Sequence, residues 1–369
     1  MHIVKKLLIV LIIVVSFVVI YRLIKENVEV RTQIDKQLTE PKKEGFATAS
    51  KVGDPASKTE AENLNNEATA LGRELTLSTV SEKYLDFPLR EFMIKSSYNS
   101  AIINKTASTD AIEFVLSRGC RLVDFEIYTR NFENAKDTEF VSYSDDPDDP
   151  KHLKINTGLT LTLEKAMLFV AANAFSALSP LPNDPIFIHL RFKDNSAEAY
   201  NRTSKMLMST FGERLYKNSV SGSTPIREIM GKVVIIFDAM SSPDYYKFST
   251  CSAEGTDLNC VPFSQYVALI SGNVDLPKYS YTSYYDLTQT PLMVSSTGRT
   301  DIMRFLMVTP PDVGGKHATI PSKSDLLKLP VQMLLMQFHK QTEQLKKYEK
   351  MFNDCKSAFC PLGPFIRTS

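Results

Sequence analysis

The chain has 369 residues, 43% of them hydrophobic and 23% charged, with a formal net charge of +1. That is enough chain to bury one large core or two modest ones, and a charge so balanced excludes nucleic acid as a partner held by bulk electrostatics. Five cysteines without a CxxC spacing are too few and too irregular for a disulfide scaffold; Cys251 with Cys260 and Cys355 with Cys360 could close local loops, but buried free thiols are the expected state.

The first element is "LLIVLIIVVSFVVIY", Leu7 to Tyr21, which no charge interrupts. With Lys5, Lys6 and Arg22 snorkelling to the interfaces it reaches the roughly 20 residues a spanning helix needs. No small-x-small cleavage site follows closely, so the expectation is a retained single-pass anchor over 1–25 rather than a signal peptide. Its orientation is left open, because Lys5 and Lys6 are matched by Arg22, Lys25 and Arg31 on the other side. Residues 26–82 are polar, with Phe46 their only aromatic. They read as a flexible tether unable to build a core, with a short helix near Lys58–Leu71. Aromatic and β-branched residues return from Tyr84, which sets the globular domain at 83–369.

Within that domain eight short apolar runs read as strands: "REFMIKSS", "CRLVDFEIY", "EFVSYS", "PIFIHLRFK", "GKVVIIFDA", "YVALIS", "IMRFLMV" and "VQMLLMQF". Helical stretches at Ser108–Arg118, Leu163–Phe175 and Ala197–Phe211 separate several of them. Alternation of this kind makes an α/β domain, and eight strands favour a (β/α)8 barrel with its site at the C-terminal strand ends. The segment Ser241–Val261 reads as loop, and "QTEQLKKYEKMFN" near the end as an amphipathic helix packed on the barrel.

The polar residues at strand ends carry the chemistry. In "VDFEIY", Asp124 and Glu126 are two apart and share one face of the strand. Two inward carboxylates require a cation or hydrogen-bond donors, and a divalent metal with oxygen ligands is one answer. On spacing alone, solvated carboxylates at the rim are the plainer one. The same alternation places His189, Arg191 and Lys193 on one face of "PIFIHLRFK". His189 has no neighbouring histidine to make a metal site and reads as a satisfied core or rim residue. Arg191 near the acid pair could form a bidentate ion pair. The run "DDPDDPK" lacks the ligand pattern of a calcium loop and reads as an exposed turn. Asn104 and Asn201 lie in glycosylation sequons, which matter only if the domain enters a secretory lumen.

Together these stretches resemble the X and Y catalytic regions of the phosphatidylinositol-specific phospholipase C family. "PLREFMIKSSYNSAIINKTASTDAIEFVLSRGCRLVDFEIY" is similar to that family's opening block, in which a strand ending Ser-Ser-His-Asn-Thr leads to a helix, Arg-Gly-Cys-Arg and an acidic strand. "NTGLTLTLEKAMLFVAANAF" resembles the next block, which opens His-Gly-His-Thr-Leu-Thr, and "PIFIHLRF" and "FGERL" resemble the phrases after it. "VQMLLMQFHK" and the closing "MFNDCKSAFCPLGPFIR" look like the end of the Y region. The resemblance covers about 86–240 as X-like and about 300–367 as Y-like, and it implies a distorted TIM barrel.

Carried over residue by residue, the resemblance places the family's two catalytic histidines on Tyr98 and Thr157. Its calcium ligands fall on Asn99, Asp124 and Glu126, with the last ligand, a glutamate, on Arg191; a slip in register would make Asp194 that ligand instead. The paired phosphate-binding lysines fall near Ile236 and Asp238, and the substrate-binding residues on Arg304 and on Ser295 or Ser296. The family's phosphodiester cleavage uses imidazoles and calcium, and both imidazoles are absent here. The expectation is therefore a membrane-anchored phospholipase C-like pseudoenzyme, metal-free with Arg191 at the calcium position. It would serve as a binding or structural module toward membrane lipids, a phosphoinositide headgroup or protein partners. Such a stand-alone form fits a large DNA virus, with the virion membrane as one placement. The competing reading is an active, calcium-using phosphodiesterase with rearranged groups, recruiting His152 or His189.

Overall fold

Alternation of side chains along the strands sorts the apolar residues of this chain into two layers, one inside a barrel and one beneath its helices. The computed structural model describes residues 55–70, 74–103, 106–132, 135–144, 160–193, 196–251, 260–289, 305–310, 321–322, 325–326 and 329–363. The chain divides into two compact units, 1–50 and 51–369, and the described residues belong to the second. The apolar segment expected to anchor the chain lies outside the described residues. Among the described residues, no helix is long and apolar enough to cross a membrane.

The barrel strands are β1 (Phe92–Ser97), β2 (Leu122–Phe132), β3 (Ile186–Phe192), β4 (Val233–Asp238), β5 (Val267–Ser271), β6 (Lys278–Ser280), β7 (Met307–Thr309) and β8 (Met333–Met336). They pair in the order β6-β7-β8-β1-β2-β3-β4-β5, parallel throughout, a nearly closed eight-stranded barrel. The count of eight agrees with the sequence, but the membership differs. "EFVSYS" is not a barrel strand: Ala135–Val141 pairs antiparallel with the far end of β2, as a hairpin beyond the barrel. The missing strand is β6, whose three residues Lys-Tyr-Ser carry no apolar run to mark it.

Phe92, Ile94, Leu122, Phe187, Val234, Ile236, Leu269, Met307, Met333 and Leu335 fill the barrel interior, and Phe359 joins them from a short strand, Phe359–Pro361, paired antiparallel with β1. The alternate residues, such as Val123, Phe125, Ile188, Leu190, Ile235 and Phe237, pack outward with helical residues including Phe114, Met167, Leu207 and Phe352. The covering helices include α2 (Thr109–Ser117), α3 (Leu163–Asn173), α4 (Ala197–Phe211) and α6 (Glu343–Cys355), with α5 (Tyr281–Gln289) after β6. Ser108, Thr162, Ser196 and Thr342 cap the first four of these by accepting from the backbone N–H three residues on.

The short helix expected near Lys58–Leu71 is present as α1 (Pro55–Ala70), and it is not a bare polar segment: it lays Ser57, Ala61, Leu64 and Ala68 along one face. Leu64 and Ala68 join the core, and Ser57 Oγ donates to Asp110 at 2.7 Å. A helix collects apolar residues spaced three and four apart that average out in a polar composition. The cysteines are not free thiols either. Cys251–Cys260 and Cys355–Cys360 are disulfides with Cα separations of 6.0 and 5.6 Å, inside the ordinary range. Cys120 alone is free, buried so completely that its thiol is pushed up to about 12.

At the base of the barrel, Asp184 accepts from the Val80 N–H at 3.1 Å, while its second oxygen has no hydrogen-bond partner. Burial pushes its carboxyl up to about 6, opposed by the Val80 bond and by Arg121. The native state therefore holds this proton more tightly than the unfolded chain does. The resulting stability is complete below about pH 4 and is lost as the pH rises through about 6, a change of at most about 3 kcal/mol. Urea unfolding at pH 4 and pH 7 is expected to show Asp184→Asn losing less stability across that interval than the parent chain. An equal loss in both would mean that Asp184 does not titrate in this range.

Candidate functional site

The inward column of each central strand changes character along its length. On β2 it runs Leu122, Asp124, Glu126; on β3 Phe187, His189, Arg191; on β4 Val234, Ile236, Asp238; on β5 Leu269, Ser271. The parallel register sets Asp124 beside His189 and Glu126 beside Arg191, and Asp238 beside Ser271. Apolar residues thus close the lower barrel and charged ones meet at the C-terminal end, where β1 delivers Tyr98 and Asn99.

Arg191 is the centre of the cluster and is 0% exposed. Its Nε donates to Asp124 Oδ1 at 2.9 Å and its Nη2 to Asp124 Oδ2 at 3.0 Å, while Nη1 donates to Glu126 Oε2 at 3.0 Å. Nη2 also reaches Asn99 Oδ1 at 2.5 Å. The Tyr98 ring covers the fork, with the guanidinium carbon 4.5 Å from its centroid, and is itself only 3% exposed. Asn99 turns the chain here in the left-handed region, φ 46°, which brings its N–H to Asp124 Oδ2 at 2.9 Å.

Asp124 is saturated. It accepts from Arg191 twice, from the Asn99 N–H, and from His189 Nδ1 at 2.8 Å, which fills the four lone-pair positions a carboxylate offers. Burial pushes the Asp124 carboxyl up, but Arg191 and His189 outweigh it and hold it well below the usual carboxylate range. Glu126 accepts from Arg191 on one oxygen. Its other oxygen meets the Tyr128 hydroxyl, with Lys193 Nζ at 3.6 Å. Among the described residues, no group of three or more His, Cys, Asp or Glu side chains is placed to hold a metal. Calcium takes six to eight oxygens, and the oxygens of Asp124 and Glu126 already accept from the donors named above.

A second ion pair lies alongside. Asp238, which the resemblance put where the family has a phosphate-binding lysine, is not an unpaired charge. Lys278 Nζ from β6 lies 2.7 Å from Oδ2, and the Ser241 hydroxyl donates to the same oxygen at 2.5 Å. Burial pushes this carboxyl up, while Lys278, His189 and Ser241 hold it below the usual range. Between the two pairs stands His189, 0% exposed, with Nε2 2.8 Å from Ser271 Oγ. Ser271 Oγ is also 3.1 Å from Asp238 Oδ1, and its single proton serves one partner at a time. The order Asp124, His189, Ser271 matches a nucleophilic triad in sequence of contacts, but Ser271 is 0% exposed and no reacting group can reach it.

The structure therefore gathers Tyr98, Asn99, Asp124, Glu126 and Arg191 in one place. Thr157, Asp194, Ser295, Ser296 and Arg304 lie outside the described residues, as do His152 and the "DDPDDPK" turn. Sequence reading missed Tyr128, Ser271 and Lys278. Tyr128 continues the alternation from Glu126 and was open to detection, whereas Lys278 on its three-residue strand carries no local signal.

Residues 85–237 match the family model described as phosphatidylinositol-specific phospholipase C, X domain. No curated protein matches the chain. Solved structures similar in fold include L. pealei PLC21, at 12% identity and a TM-score of 0.54, and S. officinalis PLC21, at 14% identity and 0.52. In both cases the likeness covers 77% of this chain and 38% of the other, so this chain spans well under half of their length. The stretch from the approach to β1 to the last residues of β4 is thus an X domain of the phosphatidylinositol-specific phospholipase C type.

Proposed function

We propose that this protein is a phospholipase C-like pseudoenzyme in which an arginine has taken the place of calcium, acting as a membrane-anchored binding or structural module. The observation that carries the reading is the buried Arg191 fork on Asp124 and Glu126. A metal-assisted diesterase needs a cation with open coordination positions and a group that can move a proton near neutral pH. Arg191 is a cation without coordination positions and holds its charge at every physiological pH. Tyr98, at the position the resemblance gives to one family histidine, offers a phenol in place of an imidazole and is stacked over the guanidinium.

The alternative, an active enzyme with rearranged groups, would recruit His189, but that ring is enclosed between Asp124 and Ser271. Lipid binding at the mouth would also differ from the family's. Asp124, Glu126 and Asp238 are matched by Arg191, Lys193 and Lys278, which leaves no surplus positive charge for a phosphate in this described cluster. Membrane association then rests on the apolar segment at 7–24 rather than on headgroup capture.

Two measurements test the proposal. Turnover of phosphatidylinositol in vesicles, with and without calcium, is expected to stay at background; calcium-dependent release of inositol phosphate would overturn it. Arg191→Gln leaves two buried carboxylates without their cation and is expected to cost about 3–5 kcal/mol in urea unfolding. Added calcium should return part of that loss in the variant and none in the parent chain. Unchanged stability of Arg191→Gln would show that the fork is not what neutralises the pair.

A further inference from the structure

Residues 74–80 cross the base of the barrel between α1 and the approach to β1, and the turn that receives them is closed by a disulfide. Lys356 caps α6 in the left-handed conformation, φ 55°. Its carbonyl accepts from the Ser78 N–H at 2.9 Å and from the Ser78 hydroxyl at 3.0 Å. Three residues earlier, Asn353 O accepts from Thr76 Oγ1 at 3.1 Å, and Asn353 Nδ2 donates to Glu74 O at 2.9 Å. Every one of these contacts is taken from residues 353–356, and Cys355 in that turn is bridged to Cys360. Beyond the turn, Leu77 sits on Gly119, where a Cβ would come within 2.4 Å of Leu77 Cδ1, and the Val80 N–H reaches Asp184.

We propose that the Cys355–Cys360 disulfide is a redox-set latch for this strap. A lysine in the left-handed region is disfavoured and persists only where its surroundings hold it. The bridge supplies that hold, because it ties the turn to Phe359–Pro361, which is paired with β1. Reduction by a dithiol breaks the S–S bond: two electrons and two protons pass to Cys355 and Cys360, and the donor leaves as a disulfide. The turn then relaxes, its carbonyls leave the strap, and α1 loses the anchor at its C-terminal end. The barrel strands keep their pairing. The freed strap, residues 74–80, spans up to about 25 Å when extended.

The test is hydrogen exchange by mass spectrometry on the full chain, oxidised and after dithiothreitol, comparing peptides from 55–80 with peptides from β1–β4. Exchange in 74–80 is expected to rise on the order of tenfold on reduction, from the loss of a short closed loop, while β1–β4 stay protected. Cys355→Ser with Cys360→Ser should reproduce the rise without reductant, and Cys251→Ser with Cys260→Ser should not. Adding Lys356→Gly to the first pair should restore protection, since glycine adopts the left-handed turn without cost. Unchanged exchange of 74–80 on reduction, or an equal rise across β1–β4, would overturn the latch.

Discussion

Arg191 brings a permanent positive charge into the part of the barrel from which water is excluded and where two carboxylates already stand. The arrangement holds only as a set. Taken out of water singly, each of these charges would cost several kcal/mol, and the attraction among them offsets that cost because their geometry is close and nearly every lone pair is used. Asn99, Tyr98, Tyr128 and His189 are part of the same set: each supplies a donor or a face that the ion cluster needs. A metal ion entering this space would have to displace a guanidinium of fixed charge and strip two other donors, the Asn99 N–H and His189, from Asp124. The same geometry stabilises the upper barrel.

The cluster also explains the layering of the barrel. Below it the interior is aliphatic and aromatic, plugged by Phe359. Above, polarity passes sideways from Asp124 through His189 and Ser271 to Asp238 and Lys278, so that the two ion pairs, drawn from β2, β3, β4 and β6, are joined by hydrogen bonds. Buried networks of this kind are stable when fully satisfied and costly when one member is removed. A substitution at Lys278 would be felt at Asp238 first and reach the arginine fork only through a serine proton, which makes the two pairs separable in principle.

Much of this was legible in the sequence because β-strands alternate. Asp124 with Glu126, and His189 with Arg191, had to share a face, and short apolar runs separated by helical stretches announced a barrel. What the sequence concealed has physical causes. Strand β6 is too short and polar to stand out, so Lys278 and its pairing with Asp238 were invisible. "EFVSYS" has the pattern of a barrel strand, and only its partner, the overlong β2, makes it a hairpin arm. Helix α1, expected near Lys58–Leu71, sets its apolar face at Ala61, Leu64 and Ala68 among charged residues, so composition marked the helix but not its packing on the core. The two disulfides have no mark in the sequence, because spacings of nine and five residues suit free thiols as well as bridges.

The central claim is that the guanidinium of Arg191 stands where relatives of this fold would hold a cation. Isothermal titration of the intact chain with calcium tests it most directly. The account predicts no saturable heat at micromolar to low millimolar calcium in the parent chain. Micromolar binding that Asp124→Asn abolishes would contradict it.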